Sequence, residues 1–499
     1  MNLANRLLDT AQAHGDRAAV RLDDTVLTYD RLLAVAAGVA RWLTANGLEP
    51  GDRVGLILPN VPAYPVHLFG SLLAGGVVVP MNPLLKSGEI EHYLADSGAR
   101  FLFASPEAAD EARAGAAATG ATVIVVDPRG TDAATADVPE IVDRADDDTA
   151  VILYTSGTTG RPKGAELTHA NIDGNAAVTR ETLVEIGPGD VVMGCLPLFH
   201  VFGLTCGLIA SVQAGACLTL IARFEGAKAL EVIERDRVTV FEGVPTMYSA
   251  MLHAAGDADL TTVRCCICGG APLPVELLRA FEETFGCVIL EGYGLSESSP
   301  VACFNHPHLE RKPGSIGVPV RDVSLRVIDD GGRGVPTGEV GEIVIKGPNV
   351  MKGYWGLPEV TADTIVDGWL RTGDLAVCDE DGYFTIVDRK KDMIIRGGYN
   401  VYPREIEEVI YEHPAVAEAA VVGVAHPELG EEVVAAIALK PGAMATADEI
   451  REFVKARVAA YKYPRQVWVT AELPKGPTGK LLRREVRTAR PAEPSPSPA

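Results

Sequence analysis

The chain has 499 residues, of which 47% are apolar and 22% charged, a composition typical of soluble globular proteins that predicts about two to four domains. Its formal net charge of −22 argues against general nucleic-acid binding, which needs a basic face. No run reaches the roughly 18 apolar residues of a membrane span, and the start lacks the apolar centre of a secretory signal. Nine cysteines without framework spacing suit a reducing compartment, so we expect a cytoplasmic protein with no integral membrane segment.

The predicted elements begin with an amphipathic helix in "MNLANRLLDTAQAHGD". Between residues 50 and 290, short β-branched runs alternate with helix-length segments such as "NVPAYPVHLFGSLLAGG" and "PLPVELLRAFEETFG". The candidate strands are 53–58, 76–81, 100–105, 122–127, 150–155, 191–196, 216–221, 238–243, 264–268 and 288–292. Such alternation predicts βαβ units, with helices covering both faces of parallel sheets.

The pattern changes after residue 313, where Gly- and Pro-rich sequence with short alternating strands predicts a small β subdomain. From about 392 to 487, two helical segments (403–414 and 447–461) and two strands (416–424 and 431–440) predict a compact α+β module. We therefore expect an α/β protein with a large N-terminal domain over 1–388, including the β subdomain at about 313–388. A small C-terminal α+β domain follows over 389–487, and residues 488–499 form a disordered tail.

Three cysteines in "VRCCICGG" allow two interpretations. Cys265, Cys266 and Cys268 could form a metal or redox site, or they could simply pack in a buried strand as small hydrophobic side chains. No second Cys/His pair lies nearby at zinc spacing, which favours the buried strand.

The loop "YTSGTTGRPKG" (154–164) follows a buried apolar run and combines glycines, hydroxyl residues and one lysine. Backbone N–H groups in such a loop can converge on one anion, and glycines let a phosphate approach closely. The spacing does not match the Walker A phosphate loop. Taken alone, the segment is either a nucleotide phosphate cradle or a flexible surface turn.

Together with six further segments, this loop resembles the signature set of the adenylate-forming superfamily, which includes acyl-CoA synthetases, 4-coumarate–CoA ligase and firefly luciferase. The other segments, in the family's order, are "LPLFHVFGL" (196–204), "GGAPLP" (269–274), "EGYGLSESSP" (291–300), "GWLRTGDL" (368–375), "DRKKDMIIRGGYNVYPREIE" (388–407) and "PKGPTGKLLRR" (474–484). The resemblance implies an ATP-dependent ligase that uses Mg²⁺ and coenzyme A. In such enzymes a carboxylate attacks the α-phosphorus of ATP, and a thiol then displaces AMP from the acyl-adenylate.

The resemblance also implies roles for the nucleotide-site residues. The β- and γ-phosphates would lie against Thr155, Ser156, Gly157, Thr158, Thr159 and Lys163. Glu297, with Thr155, would hold Mg²⁺, and Ser296 would contact the α-phosphate. The adenine and ribose would be bound by Gly269, Gly270, Ala271, Tyr293, Gly294, Asp374 and Arg389. Each residue has a purely structural alternative: Tyr293 as a core aromatic, Asp374 as a turn residue and Glu297 as a first-turn acid.

Lys480 resembles the catalytic lysine of the family, carried on a mobile C-terminal domain. Its ammonium would stabilise charge in the adenylation transition state, whereas the alternative is a solvated lysine in a basic run. Lys391 takes the hinge position about which this domain rotates in the family. Rotation would bring Gly397 and Gly398 to the pantetheine arm of CoA.

The sequence indicates the acid substrate less directly than it indicates the reaction. "LPLFHVFGL" contains no acidic residue to pair with an amino acid, and His200 matches the gate residue of acyl- and aryl-CoA ligases or is a packed histidine. Gly292 stands where malonate-activating relatives carry an arginine, which disfavours a dicarboxylate. We expect a medium- or long-chain fatty acid, with an aryl-propenoic acid as the nearest alternative, in a pocket that includes Phe202, Gly203, Val244 and Gly269.

Three alternatives for the activity stay open at this point. The acceptor could be an acyl carrier protein instead of CoA, and the chain could be a luciferase-like oxygenase or a non-catalytic nucleotide-binding relative. A non-catalytic relative should have lost Lys480, Glu297 or Lys163, and all three are present. We expect a monomer or homodimer.

Overall fold

The computed structural model of the chain describes residues 1–131, 137, 140–155, 161–476 and 480–488. Its strands are β1 Ala18–Leu22, β2 Thr25–Thr28, β3 Arg53–Ile57, β4 Val77–Pro80, β5 Phe101–Ala104, β6 Thr122–Val125, β7 Thr149–Thr155, β8 Lys163–Thr168, β9 Val191–Gly194, β10 Cys217–Leu220, β11 Val240–Gly243, β12 Cys265–Cys268, β13 Ile289–Gly294, β14 Val301–Phe304, β15 Val318–Pro319, β16 Ser324–Ile328, β17 Gly341–Lys346, β18 Gly353–Tyr354, β19 Ile365–Val366, β20 Trp369–Cys378, β21 Phe384–Arg389, β22 Ile394–Arg396, β23 Tyr399–Val401, β24 Val416–His426, β25 Gly430–Leu439 and β26 Gln466–Thr470.

The α-helices are α1 Asn5–His14, α2 Tyr29–Ala45, α3 Ala63–Leu73, α4 Ser87–Ser97, α5 Ala109–Ala116, α6 His169–Val178, α7 Ala210–Ala214, α8 Gly226–Asp236, α9 Pro245–His253, α10 Val275–Phe285, α11 Pro358–Thr364, α12 Pro403–Tyr411, α13 Ala447–Lys455 and α14 Arg483–Thr488. Within the described ranges, no helix is both long and apolar enough to cross a bilayer.

Two large sheets form the N-terminal part of the molecule. The first has nine strands in the order β15-β14-β13-β12-β11-β9-β10-β1-β2, and the run from β13 to β1 is parallel. The second has seven strands in the order β18-β8-β7-β4-β3-β5-β6, parallel from β7 to β6. One apolar cluster extends through most of this region, and helix α3, which packs on α2, is buried on all sides. The predicted α/β class and the parallel sheets are confirmed.

Two five-stranded sheets follow. The third sheet has the order β16-β17-β20-β19, with β21 on β20, and its pairs are all antiparallel. The fourth has the order β23-β22-β25-β24, with β26 parallel to β25, and has its own apolar cluster with α12 and α13. The short strands β15 and β18 lie within 313–388 but pair with the two large sheets. The domain boundaries stay predictions, and the predicted tail lies outside the described residues, apart from position 488.

The predicted helices and strands agree with these elements, with a few differences at their ends. The predicted helix 403–414 ends at Tyr411, because Pro414 disfavours the helical conformation of the residue before it. The predicted helix 447–461 ends at Lys455, and the chain then turns so that Tyr461 stacks on Tyr399, with ring centroids 4.6 Å apart. Lys163 and Gly164 were expected in the phosphate loop but already belong to β8, which pairs antiparallel with β7.

The cysteine-rich segment forms a central strand of the nine-stranded sheet. Cys265, Cys266 and Cys268 are buried in β12 as free thiols. In the part of the chain that the structure describes, no three His, Cys, Asp or Glu side chains group as a metal site. The buried-strand interpretation is therefore the correct one.

Candidate active site

The two ends of the predicted phosphate loop are anchored by the strands β7 and β8. Thr155 pairs with Lys163 across the hairpin. At the base, the Tyr154 hydroxyl donates to Asp96 at 2.6 Å, and the backbone N–H of Trp355 donates to the Gly164 carbonyl at 2.7 Å. The loop thus leaves an antiparallel hairpin. Ser156, Gly157, Thr158 and Thr159 lie outside the described residues.

Glu297 lies opposite the end of β7, in the short 3-10 turn Ser296–Ser298. The Thr155 hydroxyl is 3.5 Å from its carboxylate, and the Tyr354 hydroxyl donates to the same oxygen at 2.9 Å. The Lys163 ammonium lies 5.3 Å from the centre of the Tyr354 ring. Burial and the neighbouring Glu297 carboxylate raise the pKa of Tyr354, so this phenol remains a donor at neutral pH. The structure therefore brings together Thr155, Lys163 and Glu297.

A second cluster joins β13 to the third sheet. The Tyr293 hydroxyl donates to one Asp374 carboxylate oxygen at 2.6 Å, and Arg389 Nε lies 3.1 Å from the other. Asp374 and Arg389 are paired across β20 and β21, so their positions follow from strand register. Asp374 is 4% exposed, yet its carboxylate is held by a phenol and a guanidinium. Burial and the adjacent Asp374 raise the pKa of Tyr293.

The glycine turn after β12 allows a close approach of neighbouring side chains. A Cβ at Gly269 would lie 3.1 Å from the Phe202 ring, and Gly270 has φ +77° with Val244 at 3.5 Å. Ala271 follows this turn. A side chain at Gly292 would come within 2.6 Å of the Phe304 ring, so the position that carries an arginine in malonate-activating relatives is closed by packing. A Cβ at Gly294 would lie 1.8 Å from the Pro300 carbonyl oxygen, and a Cβ at Gly203 would lie 2.5 Å from the Pro197 carbonyl oxygen, so both positions exclude a side chain.

The Lys480 ammonium interacts electrostatically with His200 and with the Asp374–Arg389 pair. The Lys480 side chain is reached by solvent, but it is largely surrounded by protein. This burial lowers the pKa of Lys480 to about 8; the other causes are repulsion by Arg389, Arg483 and Lys391 and the opposing attraction of Asp374. Burial and the Lys480 charge lower the pKa of His200 to about 4, so its imidazole is neutral at pH 7.

A buried ion network holds the segment that carries Lys480. Asp388, at the end of β21, accepts from the Arg404 backbone N–H at 3.0 Å and from Arg483 at 3.1 Å. Arg483 also pairs with Glu407 at 2.6 Å. Arg483 is half-buried, whereas the next residue, Arg484, is exposed. This network connects β21, α12 and α14.

The structure does not bring the predicted CoA-loop residues to the nucleotide cluster. Gly397 donates to the Leu429 carbonyl at 2.8 Å, and Gly397 and Gly398 form the exposed turn between β22 and β23. Lys391 is exposed in the turn after β21. Ser296 begins the turn that carries Glu297.

Four residues around these clusters were missed from the sequence. Tyr354 lies in a two-residue strand that has no hydrophobic pattern, so no periodicity pointed to it. Asp388 is an acidic residue within the apolar strand "FTIVDR", and this unusual position could have been recognised from the sequence. Glu407 and Arg404 lie on α12 among apolar positions and are buried only because they face the ion network.

Comparison with known proteins agrees with this geometry. Residues 7–355 match the "AMP-binding enzyme" family, and residues 405–480 match the "AMP-binding enzyme C-terminal domain". A feruloyl-CoA synthase of Amycolatopsis is 42% identical over 94% of this chain and 95% of its own length. A long-chain-fatty-acid–CoA ligase of Bacillus subtilis is 38% identical over 97% of this chain and 94% of its own.

Solved structures show the same fold. ATP-bound MatB from Rhodopseudomonas palustris has a TM-score of 0.91 and 34% identity, with 98% of both chains covered. A benzoate CoA ligase from Burkholderia xenovorans has a TM-score of 0.91 and 33% identity, covering 98% of this chain and 100% of its own. The chain belongs to the AMP-binding enzyme family, within the adenylate-forming superfamily, and is an AMP-forming acyl-CoA synthetase.

Proposed function

We propose that the chain joins a monocarboxylic acid to coenzyme A in two half-reactions at one site. The observation that carries this proposal is the convergence of Lys480 on His200 and on the Asp374–Arg389 pair. In the first half-reaction, a carboxylate oxygen attacks the α-phosphorus of ATP, and pyrophosphate leaves. In the second, the thiol sulfur attacks the acyl carbon, and AMP leaves.

The phosphate cluster reduces the repulsion between the substrate carboxylate and the triphosphate. Lys163 places a positive charge at the start of β8, and Thr155 adds a hydroxyl donor. The oxygens of Glu297 and Thr155 fit Mg²⁺, which prefers hard oxygen ligands and retains phosphate oxygens and water. These two residues would hold the ion, which neutralises charge on the leaving pyrophosphate. Ser296, in the same turn, is assigned to the α-phosphate.

The Tyr293–Asp374–Arg389 cluster binds the nucleoside. Asp374 is a buried carboxyl acceptor suited to ribose hydroxyls, and Arg389 forms an ion pair with it. Tyr293, Gly294 and the turn Gly269–Gly270–Ala271 border the base and the acyl group. Lys480, on the C-terminal segment, stabilises the negative charge that develops as the carboxylate bonds to phosphorus.

The second half-reaction requires Lys480 to leave the site. A hinge at Lys391 would let the C-terminal segment rotate, and the exposed turn at Gly397 and Gly398 would then approach the pantetheine arm. His200, neutral at pH 7, can gate the passage between the acyl and thiol tunnels without repelling an incoming thiol. We assign CoA as acceptor and a cytoplasmic location, with a carrier protein as the alternative acceptor.

Two classes of acid are supported. The "EGYGLSESSP" signature and the similarity to long-chain-fatty-acid–CoA ligases favour a medium- or long-chain fatty acid. The 42% identity to a feruloyl-CoA synthase favours an aryl-propenoic acid as the second candidate. A dicarboxylate is disfavoured, because Gly292 is packed against Phe304 and offers no cation.

A substrate panel tests the proposed reaction. AMP release is measured with acetate, octanoate, palmitate, malonate and 4-coumarate, with and without CoA. We expect CoA-dependent AMP release with octanoate, palmitate or 4-coumarate, and much less with acetate or malonate. No ATP turnover with any acid would refute the ligase, and turnover with malonate alone would refute the monocarboxylate assignment.

The hydrogen bond from Tyr354 to Glu297 has a measurable consequence. Tyr354→Phe removes this bond and keeps the ring beside Lys163. Because hydrogen bonds to charged groups are worth about 1.5–3 kcal/mol, kcat/KM for MgATP should fall by roughly 10-fold or more. Tyr383→Phe is the matched control, since the Tyr383 hydroxyl donates to the Glu310 carbonyl elsewhere. An equal loss in both variants would contradict the role given to Tyr354.

The lowered pKa of Lys480 predicts a limit to adenylation at alkaline pH. The ammonium is charged below about pH 8 and loses its charge above that value, so kcat/KM for pyrophosphate exchange should fall through pH 8. The arginine in Lys480→Arg stays charged at all accessible pH values, so the residual activity of this variant should not fall through pH 8. If kcat/KM of Lys480→Arg also fell through pH 8, the titrating group would have to be a residue other than Lys480.

A further inference from the structure

The side chain of Glu242, on β11, is a buried carboxyl group that the fold leaves partly unsatisfied. It is 1% exposed, and its Oε1 atom has no hydrogen-bond partner among the residues that the structure describes. No described cation forms an ion pair with it either. Buried polar groups are nearly always paired in native proteins, so an unpaired carboxyl points to a ligand that completes it.

The strand places Glu242 on the face of the sheet that borders the predicted acyl pocket. Phe241 packs on Tyr248 with ring centroids 5.1 Å apart, and a Cβ at Gly243 would meet these same two rings. Side chains alternate along a strand, so Glu242 and Val244 extend from the opposite face. Val244 lies against Gly270. Residues two apart on a strand are separated by about 7 Å, which puts Glu242 one step deeper than Val244.

The helical segment that covers this face packs closely against the carboxyl group. A Cβ at Gly207 would lie 3.3 Å from Glu242 Oε2. Gly207 belongs to the π-helical segment Gly203–Ile209, which begins directly after His200 and Phe202. The segment also contains the buried Thr205, whose hydroxyl has no partner within the described ranges. Glu242 and Thr205 are therefore two buried side chains that each carry a polar atom without a partner among the described residues.

The chemistry of the carboxyl group restricts what it can bind. Burial raises the pKa of Glu242 to about 8, so the group is mostly protonated at neutral pH. A protonated carboxyl both donates and accepts hydrogen bonds, which matches a hydroxyl group, itself a donor and an acceptor. A plain hydrocarbon at this depth would leave the carboxyl unpaired.

We propose that Glu242 is a specificity residue that hydrogen-bonds a hydroxyl group on the distal end of the acyl substrate. The inference rests on the proposed acid–CoA ligase function and deepens it. It selects acids that carry a distal hydroxyl, such as a ring-hydroxylated aryl-propenoic acid, over acids of the same shape without one. Glu242 acts by holding the substrate and takes no part in the bond-making steps.

The test uses two acids that differ by one hydroxyl, 4-coumarate and cinnamate. Sites built to bind a hydroxyl reject the analogue that lacks it, so kcat/KM of the native chain should favour 4-coumarate by at least about 10-fold. Glu242→Gln retains a donor and an acceptor and should keep most of this preference. Glu242→Met retains the unbranched shape without the polar atoms, and the preference should fall to about 1.

The outcomes separate this inference from the function on which it rests. No thioester with any acid refutes the ligase itself. Equal kcat/KM for the two acids in the native chain, or an unchanged preference in Glu242→Met, overturns the role of Glu242 while leaving the ligase intact. Should Glu242→Met fail to fold, equal kcat/KM for the two acids in the native chain, or loss of the preference in Glu242→Gln, still overturns the proposal.

A thermal measurement on the substrate-free enzyme distinguishes a specificity role from a structural one. Removing an unpaired buried carboxyl relieves an unfavourable burial, so Tm of Glu242→Met should equal or exceed that of the native chain, by up to a few degrees. A lowered Tm in both variants would mean that Glu242 supports the fold, and would overturn the proposal.

Discussion

The buried carboxylate of Asp374 is the contact on which the arrangement of the site depends. It lies between the Tyr293 hydroxyl from the nine-stranded sheet and the Arg389 guanidinium at the end of β21. Removing one partner of such a buried pair leaves an uncompensated charge, so the three side chains stabilise one another's positions. The next step along β21 is Asp388, which holds Arg404 and Arg483. The nucleotide cluster and the segment that carries Lys480 are thus fixed by two buried acids on the paired strands β20 and β21.

These acids perform different tasks because their surroundings differ. Asp374 and Asp388 are buried, and each forms an ion pair with an arginine. Glu242 is buried without a cation, and its pKa rises to about 8. Glu291, also buried, keeps one unpaired oxygen within the described part of the chain, and its pKa rises to about 7 despite the attraction of Arg404. The carboxyl groups of the nucleotide cluster are therefore paired with cations, whereas burial without a cation favours the protonated form of Glu242.

The sequence was informative where local pattern determines structure. The ten candidate strands between residues 50 and 290 follow from β-branched runs, and strand register places Asp374 beside Arg389. Residues that depend on long-range pairing could not be found in this way. Tyr354 reaches Glu297 through a two-residue strand added to β8, and Arg483 reaches Asp388 across 95 positions. Glu242 looks like an ordinary strand residue in "VTVFEG", because only the packed structure shows that its Oε1 atom has no partner in the described chain. The roles of Lys480, Lys391 and the glycine turn remain predictions.

The central claim is that Lys480 serves the first half-reaction and the hinge at Lys391 serves the second. It is tested by measuring pyrophosphate exchange and thioester formation from presynthesised acyl-adenylate in Lys480→Ala and Lys391→Pro. Loss of one transition-state contact should lower exchange by about 10²–10³-fold in Lys480→Ala, with thioester formation nearly unchanged. Lys391→Pro, which fixes the backbone at the hinge, should show the reverse pattern. Equal losses of both half-reactions in either variant would contradict this division of labour.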